Sequence, residues 1–172
     1  MNKQELIEKL ISLDEEVSMI FQIPEKIKMT VVGGGALILQ NVLNRSTMDI
    51  DLIDVYFPAL FPLMEKYDIN CRSNDFSDCL AENYCDRLIK LDIKTKAIDY
   101  YLLSLEDLVI MKLFSDRERD RIDIRNEEVV NNLNWELLDK IISSGEADVS
   151  FNTARYKDFL KKYEDYRKEY YR

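Results

Sequence analysis

The chain contains Val31-Val32-Gly33-Gly34-Gly35-Ala36-Leu37, which leads through an apolar segment to Met48-Asp49-Ile50-Asp51-Leu52-Ile53. The apolar start of this stretch predicts a strand, and the apolar residues after the glycines predict a helix. Glycine lets backbone N–H groups approach an anion at a helix N-terminus. The first half of the stretch therefore predicts a strand, a tight turn and a helix, with a phosphate held at the turn.

The second half of the stretch carries two carboxylates separated by one apolar residue. In an extended segment, residues two apart point to the same face, so Asp49 and Asp51 are expected to project together. Adjacent carboxylates repel, and each raises the pKa of the other unless a cation neutralises them. Mg²⁺ binds one or two carboxylates together with substrate phosphates. The sequence thus predicts a site for Mg²⁺, or Mn²⁺, at Asp49 and Asp51.

Three further segments accompany this pattern: Arg45-Ser46-Thr47, Leu103-Ser104-Leu105-Glu106-Asp107-Leu108 continuing to Lys112-Leu113, and Arg119-Asp120-Arg121-Ile122-Asp123. Together with the glycines and the Asp-apolar-Asp strand, they resemble the signature of the nucleotidyltransferase fold. The resemblance is to the small bacterial branch that includes AbiEii-type toxins, and it spans roughly residues 29–125. Its glycine pair is either Gly34-Gly35, with thirteen residues before Asp49, or Gly33-Gly34, with fourteen.

The resemblance implies an α/β (α+β) fold: a mixed β-sheet flanked by helices, with an N-terminal helix and a helical C-terminal part. We expect one domain over residues 1–172, with a core over about 29–125 and C-terminal helices over about 126–172. The implied activity is Mg²⁺-dependent transfer of a nucleotide from a nucleoside triphosphate to an RNA, protein or small-molecule acceptor. A toxin-type enzyme with a cognate antitoxin fits the same resemblance. The alternative is a non-catalytic nucleotide sensor or protein-interaction module.

The same resemblance suggests how a triphosphate is held. Glycines 33–35 would cradle it, and Thr47, in the segment before the aspartates, is a candidate nucleotide-binding residue. Arg45 either contacts the triphosphate or serves as the counter-charge of the two aspartates. Ser46 and Thr47 are better explained as turn residues than as nucleophiles, since no base stands beside them.

Lys112 stands on the apolar stripe of a predicted helix, because Leu105, Leu108, Val109 and Leu113 share its spacing. An inward lysine needs an anionic partner, which a bound phosphate or the aspartates, Asp49 and Asp51, would supply. The resemblance makes Lys112 a site residue, whereas the alternative is that its stem lies on apolar surface and its amine reaches water.

Three further carboxylates are candidates by resemblance. Asp99, on a later predicted strand, is either the third metal-site carboxylate or a solvent-facing residue. Asp120 and Asp123 match the ending Arg-Asp-x-x-Asp near the nucleotide site, while the alternative is a solvated helix face with many salt bridges.

The composition excludes several chemistries. The 172 residues contain no histidine, which argues against His-dependent hydrolases and zinc sites. Cys71, Cys79 and Cys85 form no Cys-x-x-Cys pair, so buried free thiols are expected. The N-terminus lacks the features of a signal peptide and no apolar run has the length of a membrane span, so a cytoplasmic protein is predicted.

The net charge of −9 argues against a large nucleic-acid footprint, and no DNA binding is expected. The C-terminal segment 151–172 is basic and interleaved with tyrosines. One interpretation is that this segment binds RNA by phosphate contacts and stacking. Its helical periodicity better supports the alternative, a last helix that packs its aromatic rings on the core.

Element boundaries follow from caps and breakers. A first helix is predicted to stop near Pro24, and the segments 29–32, 49–55 and 97–103 are predicted strands, with 69–71 and 87–91 as weaker ones. Ser104 and Asn134 are predicted N-caps of two later helices.

Overall fold

A computed structural model of the chain describes residues 1–70, 78–148 and 152–171. Its five strands form one mixed sheet in the order β3-β2-β1-β5-β4. The strands of the described residues are β1 (Ile27–Val32), β2 (Ile50–Ile53), β3 (Ile69–Asn70), β4 (Ile89–Lys90) and β5 (Ile98–Leu102). The α-helices in the same ranges are α1 (Lys3–Ile20), α2 (Gly33–Leu39), α3 (Phe61–Lys66), α4 (Leu105–Leu113), α5 (Glu118–Ile124), α6 (Glu127–Asn132), α7 (Trp135–Ser143) and α8 (Thr153–Tyr170). The predicted fold class, a mixed sheet with an N-terminal helix and a helical C-terminal part, is confirmed.

The described residues group into two compact units. Residues 1–70 and 88–103 form the sheet unit, and residues 78–87, 104–148 and 152–171 form the helical unit. The predicted division differs from this grouping, because α4 and α5 join the C-terminal helices rather than the sheet.

Helix α1 forms because its N-terminus is capped and one of its faces is apolar. Asn2 accepts a hydrogen bond from the backbone of Glu5, and the Glu5 side chain accepts one from the backbone of Asn2. Such a capping box satisfies two backbone donors that the first turn leaves open. The apolar face is fully buried, and it comprises Leu6, Leu10, Leu13 and Val17.

A buried carboxylate fixes α1 to the sheet. Asp14 is 1% exposed, and it accepts backbone hydrogen bonds from Lys96, Ala97 and Ile98 at 2.7–2.8 Å. Tyr100 on β5 adds a hydrogen bond of 2.9 Å to the carbonyl of Leu10. These contacts satisfy polar groups at the start of β5 that would otherwise be buried without partners.

The register of the sheet decides which side chains share a face. β1 pairs antiparallel with β2, so that Val32 opposes Asp51, and parallel with β5, so that Lys28 opposes Asp99. β3 pairs parallel with β2, so that Asn70 opposes Asp51. Asp51, Asn70 and Asp99 therefore lie on one face of the sheet.

In the helical unit, aromatic rings fill the space between helices. Phe114 stacks on Phe159 with ring centroids 4.2 Å apart, and Trp135 contacts Tyr166 at 5.3 Å. Phe159, Tyr163 and Tyr166 are buried, as expected if α8 packs its aromatic face. Among the described residues, no helix combines the length and the apolar character needed to cross a membrane.

Most predicted elements are found, with shifted ends. The α2 helix begins at Gly33, directly after β1, so the predicted tight turn falls at the first residue of the helix. The strand predicted over 49–55 is shorter, and Asp49 lies just before β2. Asn134 and Ser104 cap α7 and α4 as predicted.

The cysteine prediction is confirmed only in part. Cys79 is a buried free thiol, whereas Cys85 is exposed, which corrects the expectation of burial there. Cys71 lies outside the described residues.

Candidate functional site

The glycine turn of the sheet unit is flanked by a carboxylate and a guanidinium. Gly33 has a φ of +65°, which L side chains rarely adopt, and a Cβ there would stand 2.8 Å from Oδ2 of Asp51. A Cβ on Gly34 would stand 2.9 Å from Nη2 of Arg45. Gly33 is thus required by its backbone conformation. At Gly34 the close neighbour is the far end of the flexible Arg45 side chain, which would have to shift to admit a Cβ. Gly35 is different, since a Cβ there would meet only Val31 at an ordinary 3.7 Å.

The two predicted metal ligands differ in their surroundings. Asp51 lies on β2, is half-buried, and accepts a hydrogen bond of 2.9 Å from Nδ2 of Asn70. Asp49 is exposed, and its carboxylate makes no hydrogen bond or ion pair within the described ranges. One carboxylate is therefore held in place, while the other is open to solvent and to a ligand.

The donor set suits a hard divalent cation. Both candidate ligands are carboxylates, and one oxygen of Asp51 faces the glycine turn. In residues 1–70, 78–148 and 152–171, no group of three or more His, Cys, Asp or Glu side chains forms a ready-made metal cage. Mg²⁺ commonly uses one or two carboxylates and completes its shell with water and substrate phosphates. The residues present fit such an ion better than they fit zinc or calcium.

The structure does not place Asp99 beside Asp51, contrary to its predicted role as a third carboxylate. Asp99 opposes Lys28, and Asp51 opposes Val32, four residues further along β1 and about 13 Å away at ~3.3 Å per residue. Lys26 and Lys90 form ion pairs with Asp99 at 3.3 and 3.1 Å. Burial alone would raise the pKa of Asp99, but these two lysines outweigh it and lower the pKa.

The segment before the aspartates is fixed mainly by backbone contacts. Thr47 is buried, and its backbone N–H donates to the carbonyl of Met1 at 3.0 Å. Arg45 donates from Nη1 to the carbonyl of Ser46 at 3.0 Å, while its Nη2 lies against Gly34. Arg45 therefore lies at the glycine turn. Its predicted roles, contact with a triphosphate or counter-charge of the two aspartates, stay predictions, as does the nucleotide-binding role of Thr47.

In the helical unit, Lys112 is brought together with Asp120 and Asp123. Lys112 is 5% exposed, its Nζ lies 2.9 Å from Oδ2 of Asp123, and it also contacts Asp120. Ser115 donates to the second oxygen of Asp120 at 2.7 Å. The alternative in which the Lys112 amine reaches water is wrong. The predicted site role of this triad stays a prediction.

A cavity of about 220 Å³ lies next to this triad and is lined by Lys112, Lys162 and Tyr166, among others. Its lysines are already matched by carboxylates, since Lys162 pairs with Asp116 and Asp158 at 2.7 Å. Arg121 and Arg125 line the cavity as well; Arg121 donates to the carbonyl of Asp116 at 2.9 Å, and Arg125 forms an ion pair with Glu169 at 3.4 Å.

Sequence reasoning missed Asn70. Asn70 falls on a weakly predicted strand. Its position beside Asp51 becomes apparent only once the register of β3 against β2 is known. An asparagine in a two-residue strand gives no pattern from which a partner can be inferred.

Comparison with known proteins identifies one family. The model of a family described as "Nucleotidyltransferase of unknown function (DUF6036)" matches residues 8–171. No curated protein and no solved structure gives a significant match. The family match covers both units and includes every predicted site residue.

Proposed function

Since the chain belongs to this nucleotidyltransferase family, we propose that it transfers a nucleotide from a nucleoside triphosphate to an acceptor, with Mg²⁺ or Mn²⁺ held by Asp49 and Asp51. An acceptor nucleophile would attack the α-phosphorus, and pyrophosphate would leave as the bond to the β-phosphate breaks. The acceptor is an RNA, a protein or a small molecule. A toxin role and an antitoxin partner remain predictions from the resemblance.

One observation carries the proposal: the Asp51 carboxylate and the Arg45 guanidinium both lie directly against the glycine turn. The contacts are 2.8 Å from Asp51 and 2.9 Å from Arg45 to the positions that side chains at Gly33 and Gly34 would occupy. A Cβ at either position would force the end of the neighbouring side chain to shift away from the turn. Such a turn combines groups that bind phosphate with a group that binds a divalent cation.

Each residue has a distinct part in this proposal. The cation, when bound, would neutralise phosphate charge and polarise the reacting phosphoryl group. Asp49 and Asp51 would hold it, and the backbone N–H groups at the turn would orient the triphosphate. Arg45 would offset phosphate charge from the other side of the turn. Because the chain has no histidine, positioning and electrostatic stabilisation must supply most of the catalysis.

A non-catalytic nucleotide sensor is the second candidate. It is favoured by the lack, within the described ranges, of a third acidic side chain grouped with the aspartate pair. A sensor would bind nucleotide with the cation but would transfer nothing.

We expect the transfer of label from α-³²P nucleoside triphosphates, but not from γ-labelled ones, when the protein is incubated with Mg²⁺ and total cell RNA or protein. Asp51→Asn should abolish labelling because it removes one of two metal ligands. The matched control is Asp92→Asn, since Asp92 is exposed in the loop between β4 and β5. Labelling that survives Asp51→Asn would contradict the proposed site, while tight nucleotide binding without labelling would favour the sensor.

A further inference from the structure

The side chain of Asn70 is the immediate neighbour of the Asp51 carboxylate. Asn70 and Asp51 are register partners on parallel strands, so their side chains share one face of the sheet. Nδ2 of Asn70 lies 2.9 Å from Oδ1 of Asp51. An ionised carboxylate only accepts hydrogen bonds, so the amide NH₂ must be the group that faces it.

The two oxygens of Asp51 therefore have different surroundings. Oδ1 accepts the hydrogen bond from Asn70, whereas Oδ2 faces the glycine turn, 2.8 Å from the Cβ position of Gly33. A hydrogen bond to one oxygen restricts rotation of the carboxylate about its terminal torsion, which is otherwise broad. The contact with Asn70 thus selects the orientation in which Oδ2 is presented to the turn.

Asn70 is itself supported by its strand. Ile69 is 2% exposed, so the strand is anchored by a buried side chain. The backbone N–H of Ile50 donates to the carbonyl of Asp68 at 3.0 Å, which ties the start of β3 to β2. An amide on an anchored strand can hold a neighbouring carboxylate in one orientation.

We propose that Asn70 is a positioning residue that orients Asp51 toward a divalent cation at the glycine turn, an inference that rests on the proposed function. The chemistry of the amide suits this role. It stabilises the ionised carboxylate by a hydrogen bond, yet brings no charge that would compete with the cation. A lysine at this place would neutralise Asp51, and an aspartate would repel it.

The test is a titration with Mn²⁺ alone, followed by electron paramagnetic resonance. The proteins are the wild type, Asn70→Ala, Asp51→Asn and the double variant, with Asn131→Ala as the matched control, since Asn131 is exposed on α6. Loss of a partner that orients a metal ligand typically weakens metal affinity about 10- to 100-fold. We expect that loss in Asn70→Ala, no change in Asn131→Ala, and no further loss when Asn70→Ala is added to Asp51→Asn.

Each contrary outcome has its own meaning. If the wild type binds no Mn²⁺, the proposed metal site and this inference both fail. If the wild type binds Mn²⁺ and Asn70→Ala binds it equally well, the role of Asn70 is refuted while the proposed function stands. The role of Asn70 is also refuted if adding Asn70→Ala to Asp51→Asn lowers the Mn²⁺ affinity as much as Asn70→Ala does in the wild type. Loss of folding in Asn70→Ala, measured by circular dichroism, refutes it as well. In both cases Asn70 would act on the strand rather than through Asp51.

Discussion

At the scale of single residues, the Asp51 carboxylate and the Arg45 guanidinium form the surroundings of the glycine turn. Alternation predicts that Asp49 and Asp51 project together from one strand, but the structure places only Asp51 on β2 and Asp49 just before it. Asp99 is a candidate by resemblance, which places it on a later strand without fixing its register against β1. Asn70 was missed for the same reason, because its importance depends entirely on which residue of β2 it opposes.

Lys112 is the residue at which local periodicity was most informative. Its position on the apolar stripe predicts a buried amine whose anionic partner is a bound phosphate or the Asp49 and Asp51 pair. The structure pairs the amine with Asp120 and Asp123. Both aspartates belong to the charged segment for which the alternative prediction is a solvated helix face. Burial of Asp123 at 2% exposure shows that a charged run can still contribute to the interior when a lysine is placed to receive it.

We expect Lys112→Met to destabilise the protein by about 3–5 kcal/mol, because it leaves the buried carboxylates without their cation. Urea denaturation measures the change in the free energy of unfolding. Lys161→Met is the matched control, since Lys161 is exposed on α8. An unchanged midpoint for Lys112→Met would show that the triad does not stabilise the fold.

At the scale of elements, helix ends were predictable where a cap residue marks them. Ser104 and Asn134 both accept backbone hydrogen bonds at the starts of α4 and α7, at 3.1 and 3.0 Å. The two-residue strands β3 and β4 were harder, because so short a segment contains no periodicity. Their positions depend on pairing with β2 and β5, which is a property of the tertiary structure.

The contact between α7 and α8 rests in part on one carboxylate. Asp139 on α7 accepts hydrogen bonds from Tyr163 and from Arg167 on α8, the latter at 3.0 Å from Nε and 3.1 Å from Nη2. Burial alone would raise the pKa of Asp139, but Arg167 and Tyr163 outweigh it and lower the pKa below its ordinary value of 3.8. A lowered pKa in the folded state means that ionised Asp139 stabilises the fold.

Asp139→Asn is therefore expected to cost about 1 kcal/mol at pH 7, as for a partly exposed charged hydrogen bond. The stabilisation is present above the ordinary carboxyl pKa and is lost as the pH falls through the lowered one. Urea denaturation at pH 7 and near pH 3 measures the difference, with Asp165→Asn on the exposed side of α8 as control. A cost that stays constant between the two pH values would contradict the assignment.

At the scale of the whole molecule, the absence of histidine argues for carboxylate chemistry, and the candidate site includes two carboxylates. The exclusion of His-dependent hydrolases and zinc sites stays a prediction. The division into a sheet unit and a helical unit follows Leu103, inside the segment that carries the family resemblance. The sequence marks this position as the end of a strand and the start of a helix, whereas the grouping into units is defined by contacts.

The proposed function requires that Asp49 and Asp51 join a divalent cation to a nucleoside triphosphate at the glycine turn. Ligand binding to the folded state alone raises stability by about 2.7 kcal/mol at a hundred times the Kd. For a chain of this size, the Tm should rise on the order of 5–10 °C.

A thermal unfolding scan with each nucleoside triphosphate, in Mg²⁺ or in excess chelator, tests this requirement. We predict that the Tm of the wild type rises only when nucleotide and Mg²⁺ are both present, because the aspartates repel the phosphates until the cation bridges them. Asp51→Asn should lose most of this rise and Asp92→Asn should keep it. Equal stabilisation by nucleotide in Mg²⁺ and in chelator would contradict the cation-bridged site.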